Sequence, residues 1–296
     1  MSDDHVYLSL AEESPQGEAR WAYGTGFTDP LAGVDTTLPA GVDGADLAAY
    51  CLMLGDDALV LAQRLTEWCT RAPELEDEVA LANIGLDLLG QARLLLARVG
   101  QADGSGRSED DLAYLRDEGQ FRNVRLVELP GGDFAHSIAR LLLFSCARLA
   151  LFERLAASAD PVLAAVAAKG AKELAYHREY AAGWTVRLGD GTELSRQRMQ
   201  CGLDTLRPYL AELLTAHPVE LRLAASGAAA DPAALGPEVE RTVARVAAAA
   251  GLDLPPVPPL ATVGGRGGRD GVHTEEMGRL LAEMQCVARA HPGATW

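Results

Sequence analysis

Aromatic residues make up only 5% of this 296-residue chain. Sheets lean on aromatic and β-branched side chains, so their scarcity beside plentiful Leu and Ala favours helix. Cysteine is sparse too. Cys51, Cys69, Cys146, Cys201 and Cys286 stand singly in apolar segments, and no CxxC pair occurs. An odd count with no framework excludes a disulfide scaffold and predicts buried free thiols in a reducing compartment. Basic charge is short as well: 26 Lys and Arg face 42 Asp and Glu, a net charge of −16. That balance excludes nucleic acid and anionic membrane surfaces as partners, because both need a basic face. The first twenty residues lack a basic stretch leading into an apolar run, and no apolar stretch reaches the ~18 uninterrupted residues of a membrane span. These absences predict a soluble, cytoplasmic protein.

What the chain does have is apolar bulk. At 48% hydrophobic residues it can build a large core, and disorder throughout is excluded. Residues 1–45 are rich in Gly, Asp, Thr and Pro and without period. They read as a poorly ordered extension, docking if at all through Trp21, Tyr23 and Phe27. From 46 to 296 the texture is helical. "DLAAYCLMLGDDALVLAQRLTEWCT" has apolar residues three and four apart, predicting a helix over 46–71. A second follows over 73–99, with Pro73 in its first turn, Glu74, Glu76, Asp77 and Glu78 at its positive end and Gly100 as its stop. So short a turn makes the two antiparallel neighbours. A polar connection over 101–131 holds one short helix and ends at "LPGGD". Asp133 caps a third long helix to 158; Asp160 and Pro161 start a fourth to 188. Accessory helices are expected over 192–216, 235–250 and 274–290, the last capped by Thr274. Helix pair, long crossover, helix pair is the ferritin-like four-helix topology, here with additional C-terminal helices.

That topology raises the question of metal. "KELAYHREY" places Glu173 one turn before His177, on one helix face. A ferritin-like di-iron centre takes a carboxylate from each of two helices and a Glu–His pair from each of the other two. Residues equally far from an antiparallel turn sit at one height. Glu173 and His177 therefore face Leu143 to Ala147, "LFSCA", which has no carboxylate, while Glu153 lies two turns, or ~10 Å, away. In the first hairpin Asp87 and Gln91 face Asp57 and Met53, and Gln is a poor iron ligand. Asp56, Asp57, Asp87, Gln91, Glu173 and His177 thus read as a polar network, with Arg64, Lys169 and Lys172 near enough to balance it. The Asp56–Asp57 step reads equally as exposed, and Glu67 as a solvent-side residue at the helix end. A second reading of the same residues is a working di-iron oxygenase. A third is a CoA-binding module, in which Arg266 and Arg269 of "GGRGGR" grip phosphates, against the plainer alternative of a flexible link.

"LGDDALVLAQRLTEWCTRAPELEDEVALANIGLDLLGQAR" resembles the C subunits of bacterial phenylacetyl-CoA 1,2-epoxidases, as do "YLRDEGQFRNVRLVELPGGDFAHSIAR", "KELAYHREYAAGWTVRLGDGT" and "DGVHTEEMGRLLAEMQ". The likeness runs from about residue 52 to the end. It implies a ferritin-like fold and a non-catalytic structural role beside a catalytic A subunit, which carries the di-iron centre. A B subunit and a reductase E, with NADPH, flavin and an iron–sulfur cluster, complete the system, which epoxidises the ring in aerobic phenylacetate breakdown. It implies no cofactor bound by this chain, a homodimer or hetero-oligomer, and an acidic residue in the family where this chain has Ser145. Asp57, Asp87, Gln91, Ser145, Glu173 and His177 would then be the remains of a lost metal site.

Overall fold

A computed structural model describes residues 31, 33–254, 256, 257, 259–292 and 294. Trp21, Tyr23 and Phe27 lie outside the described residues, as does most of the expected extension. Among the described residues there are ten α-helices and three short 3-10 turns, and no strand. The all-helical expectation from composition holds.

Two long hairpins make the core. Helix α1 (Gly44–Thr66) folds back along α2 (Leu75–Ala102). The crossover carries α3 (Glu109–Tyr114) and the single-turn α4 (Arg125–Glu128). The second hairpin pairs α5 (Phe134–Leu155) with α6 (Pro161–Gly189), and α2 packs on α6. Helix α7 (Glu193–Leu213) covers α5; α8 (Pro218–Ala225) lies on α1; α9 (Gly236–Ala249) closes over α5 and α6; α10 (Glu275–Ala290) returns to α3 and α4. Helices α2 and α5 are each long and apolar enough to cross a bilayer, and 89% of the apolar window of α5 is buried inside this chain. Its hydropathy is that of a central helix.

Local chemistry sets the ends. Asp43, Asp133 and Asp160 accept the backbone N–H three residues on, at 2.9, 2.9 and 2.8 Å, satisfying donors that a helix start leaves open. Asp160 also pairs with Arg98 from the end of α2, both fully buried, and so ties the hairpins together. Thr274 sits at a cap position, but its side chain makes no cap bond.

Several expected boundaries move. Helix α1 ends at Thr66, five residues early, because Thr70 turns left-handed at φ 76° and the Trp68 indole anchors to Ser137 Oγ at 2.7 Å. Helix α2 starts at Leu75 behind Glu74, leaving Pro73 outside it. Gly100 does not stop α2, which runs on to Ala102; a side chain there would strike the backbone of Arg107. Helix α8 was not foreseen, although Pro218 at its first turn and a His217–Glu220 capping box mark its start. Of the thiols, only Cys51 and Cys146 are buried; Cys69, Cys201 and Cys286 are exposed on helix faces and turns.

Candidate functional site

The polar residues singled out above fall into two separate groups. The first forms two rungs between α2 and α6. Gln91 Nε2 donates to Glu173 Oε2 at 3.0 Å, and Lys169 Nζ lies 3.3 Å from the other carboxylate oxygen. One turn along, His177 Nε2 lies 3.0 Å from Asp87 Oδ2. The imidazole is fully buried while Asp87 is 38% exposed, so the rung spans the edge of the bundle. With Nε2 donating to the carboxylate, Nδ1 of His177 is left buried without a partner, as is Gln91 Oε1. Glu173 and His177 therefore act crosswise, each toward α2, and do not converge on one point. Ser145 takes no part: its hydroxyl donates back to Leu141 O at 2.6 Å within α5. Glu153 is half exposed beside Arg154.

The second group is sealed. Asp56 and Asp57 are both 0% exposed, which overturns the alternative of an exposed acidic step. Asp57 accepts a forked pair of bonds from Arg269, Nη1 to Oδ1 at 3.0 Å and Nη2 to Oδ2 at 2.8 Å. The Val124 N–H donates to Oδ1 at 2.8 Å, and Arg148 Nη1 of α5 lies 3.5 Å from Oδ2. A carboxylate offers about four acceptor directions, and all four are taken. Asp56 is held by Arg116, Nη1 to Oδ2 at 3.0 Å, and by the Arg122 N–H at 2.8 Å. Burial pushes the Asp56 carboxyl up from its ordinary value, and Arg116 opposes it. Burial likewise pulls the Arg148 guanidinium down to about 10, against the attraction of Asp57. For Arg269 burial also disfavours the charge, but Asp57 and Glu220 outweigh it and hold the group above the usual arginine range. Arg64 points elsewhere, to Glu67 at 2.7 Å and to Glu128 O; Glu67 remains 29% exposed.

Arg269 comes from the glycine loop, so the loop is neither a flexible link nor, at this arginine, a free phosphate grip. A side chain at Gly268 would collide with Asn123 O; glycine allows the loop to lie backbone to backbone on the crossover. Glu212 of α7 staples the two, accepting from Gly268 N at 2.9 Å and Arg125 N at 2.7 Å. Next to it His273 Nδ1 meets Glu128 Oε2 at 2.8 Å and Nε2 meets Phe121 O at 3.1 Å. Both ring nitrogens face acceptors, the pattern of an imidazolium. Burial alone would lower the His273 pKa; the hydrogen bond and charge of Glu128 reverse this, and the net shift is upward.

Arg116, Arg148, Glu128 and His273 were missed in the sequence, and Arg269 was singled out there only as a phosphate grip, not as the partner of Asp57. Arg148 was detectable: an arginine inside "LLLFSCARLALF" cannot be buried without an anion. As arranged, the residues do not fit a di-iron centre. Asp57 has no lone pair free to bridge metals, and a multivalent cation there would meet Arg148 and Arg269. Among the described residues no three His, Cys, Asp or Glu side chains converge on a metal-sized space.

A family model described as phenylacetic acid catabolic protein matches residues 35–296. The chain belongs to that family. It is 48% identical over 250 residues to the C subunit of the 1,2-phenylacetyl-CoA epoxidase of Escherichia coli (strain K12), a match covering 84% of this chain and 99% of the relative. The resemblance read from the sequence motifs is thereby established, and the family match reaches about seventeen residues further toward the N-terminus than those motifs did. In this family member, the acidic pair that opens the motif "GDDALVLAQRL" is the sealed pair Asp56–Asp57.

Proposed function

We propose that this chain is the non-catalytic, structural C component of a multicomponent 1,2-phenylacetyl-CoA epoxidase in aerobic phenylacetate degradation. In this reading residues 46–296 are a ferritin-like bundle with one long crossover and accessory helices. The di-iron centre belongs to a catalytic A subunit; a B subunit and a reductase carrying flavin and an iron–sulfur cluster complete a cytoplasmic complex fed by NADPH. The observation that carries the reading is the fate of Asp57. Its carboxylate, at the bundle centre, is saturated by Arg269, Arg148 and Val124 N–H. Those bonds join α1, α5, the crossover and the glycine loop into one rigid body. The chain's own residues then do positional work: they hold helix faces in register for the subunit that does the chemistry.

Iron counting on the purified complex and on this chain alone tests the proposal. All iron should follow the A subunit; two irons per copy of this chain would instead support a di-iron oxygenase in its own right. In the assembled complex, Glu173→Gln combined with His177→Gln should leave the epoxidation rate within about twofold, since no interaction made only in the transition state is removed.

A further inference from the structure

Among the described residues, seven arginines are buried. Six of them have a carboxylate within 3.5 Å: Arg64 has Glu67, Arg98 Asp160, Arg116 Asp56, Arg125 Glu212, Arg148 Asp57 and Arg207 Glu240. The seventh, Arg140 of α5, is 0% exposed and pairs with no carboxylate of the described residues. Its Nη1 donates to Leu129 O and, at 3.5 Å, to Pro130 O, both in the turn that leads into α5. Nε and Nη2 are buried without a partner. These two nitrogens share the side edge of the planar guanidinium, whose parallel N–H bonds suit an anion.

Carbonyl dipoles accept hydrogen bonds but do not cancel a charge, and a buried charge without a counter-charge is strongly unfavourable. Glu67 attracts Arg140, but its carboxylate lies 2.7 Å from Arg64 and is 29% exposed. Two buried arginines thus share one solvent-screened acid. Burial first, and then the charge of Arg64, pulls the Arg140 guanidinium down to about 10, which leaves it ionised at neutral pH. Burial and then Arg140 also lower the pKa of His136, one turn back on the same helix. The surroundings of Arg140 are positive and unbalanced.

We propose that the Nε–Nη2 edge of Arg140 binds a small monovalent anion of the halide class, held as a fixed counter-ion beside the turn 129–132. Burial sets the size. A phosphate or nucleotide needs an open mouth, which a side chain at 0% exposure does not offer, whereas a chloride takes little more room than a buried water. Water alone would satisfy the N–H groups but leave the charge uncancelled. The ion does for Arg140 what Asp57 does for Arg148 and Asp160 for Arg98, and so fixes the turn that launches α5. An anion bound only by the folded chain stabilises it by mass action, so stability should follow halide concentration.

The test melts the full chain in chloride, bromide or gluconate at one ionic strength, so that screening of surface charge is equal and the anion's size differs. Chloride and bromide should raise the melting temperature above that in gluconate. Each tenfold rise in chloride above its dissociation constant should add about 2–4 °C. Arg140→Met keeps a long side chain without the charge and should lose this dependence. Arg140→Lys keeps the charge without the forked edge; it should shift the chloride midpoint upward about tenfold, and it serves if the Met variant does not fold. Crystals grown in bromide should show an anomalous peak against Nε and Nη2. Four outcomes overturn the proposal: equal melting temperatures in the three salts; a chloride dependence unchanged in both variants; density for water only, or for a carboxylate of this chain, on that edge; or a bromide peak with no chloride dependence in solution, which is an adventitious ion only.

Discussion

The bundle holds two sets of charged residues built on the same scale and to opposite ends. Around the fully buried Asp56 and Asp57 three arginine side chains, 5%, 1% and 10% exposed at Arg116, Arg148 and Arg269, arrive from three different segments, and each carboxylate oxygen is spoken for. Between α2 and α6 the rungs Gln91–Glu173 and Asp87–His177 are single bonds that reach solvent on one side. A buried ion pair is seldom worth more than an apolar replacement, yet removing one partner strands the other charge. The sealed set is thus a device for fixing one arrangement of helices, and its failure is all-or-none. The rungs are adjustable, because water can reach the Asp87 carboxylate.

The sharpest way to break that contrast is Arg269→Ala. Asp57 would keep only Arg148 and one N–H, and the glycine loop would lose its anchor. A loss of about 3–5 kcal/mol is expected, read by denaturant unfolding of the full chain. Adding Asp57→Asn should recover part of it, since the stranded charge is then gone. If Arg269→Ala costs less than about 1 kcal/mol, the usual worth of an exposed pair, the centre is not sealed.

Between the extremes lies His273. Its folded pKa is raised, so its contribution is fully present below the unfolded value near 6.5 and fades as pH rises through the folded value. His273→Gln should cost about 2 kcal/mol at pH 6 and progressively less at higher pH. Melting temperature against pH for wild type and variant reads this directly: the two curves should converge on the alkaline side. A constant gap would mean that His273 never carries the charge.

The same contrast explains what could be read from the sequence. The four long helices, the caps at Asp133 and Asp160 and the antiparallel hairpins follow from spacings within a few residues, and they match the structure. Counting heights from each turn brought α2 candidates near α1 candidates, but Asp57 took partners 91 and 212 positions away instead. No local period encodes such a pairing. The signal was a mismatch: arginines at 116, 122 and 125 in a connection, and Arg148 inside an apolar helix, outnumber what solvent requires. The outward leucines of α2, Leu75 and Leu86, exposed at 70% and 64%, were invisible for the converse reason, because a helix apolar on two sides has the same composition whether the second side is covered by its own chain, as in α5, or left open.

The smallest effect belongs to the rungs. Asp87→Asn removes the charge facing His177 but keeps an oxygen that can accept from Nε2. Because Asp87 is 38% exposed, its Coulombic part is screened, and a loss of about 0.5 kcal/mol is expected, shrinking further in high salt. Asp57→Asn, isosteric in the same way, should cost several times more, because Arg269 loses the charge that offsets its burial. Measured side by side at two salt concentrations, the first should be salt-sensitive and small, the second large and nearly salt-independent. Equal losses would show that the rungs are as sealed as the centre, and would make Glu173 and His177 part of the rigid lock and not its adjustable edge.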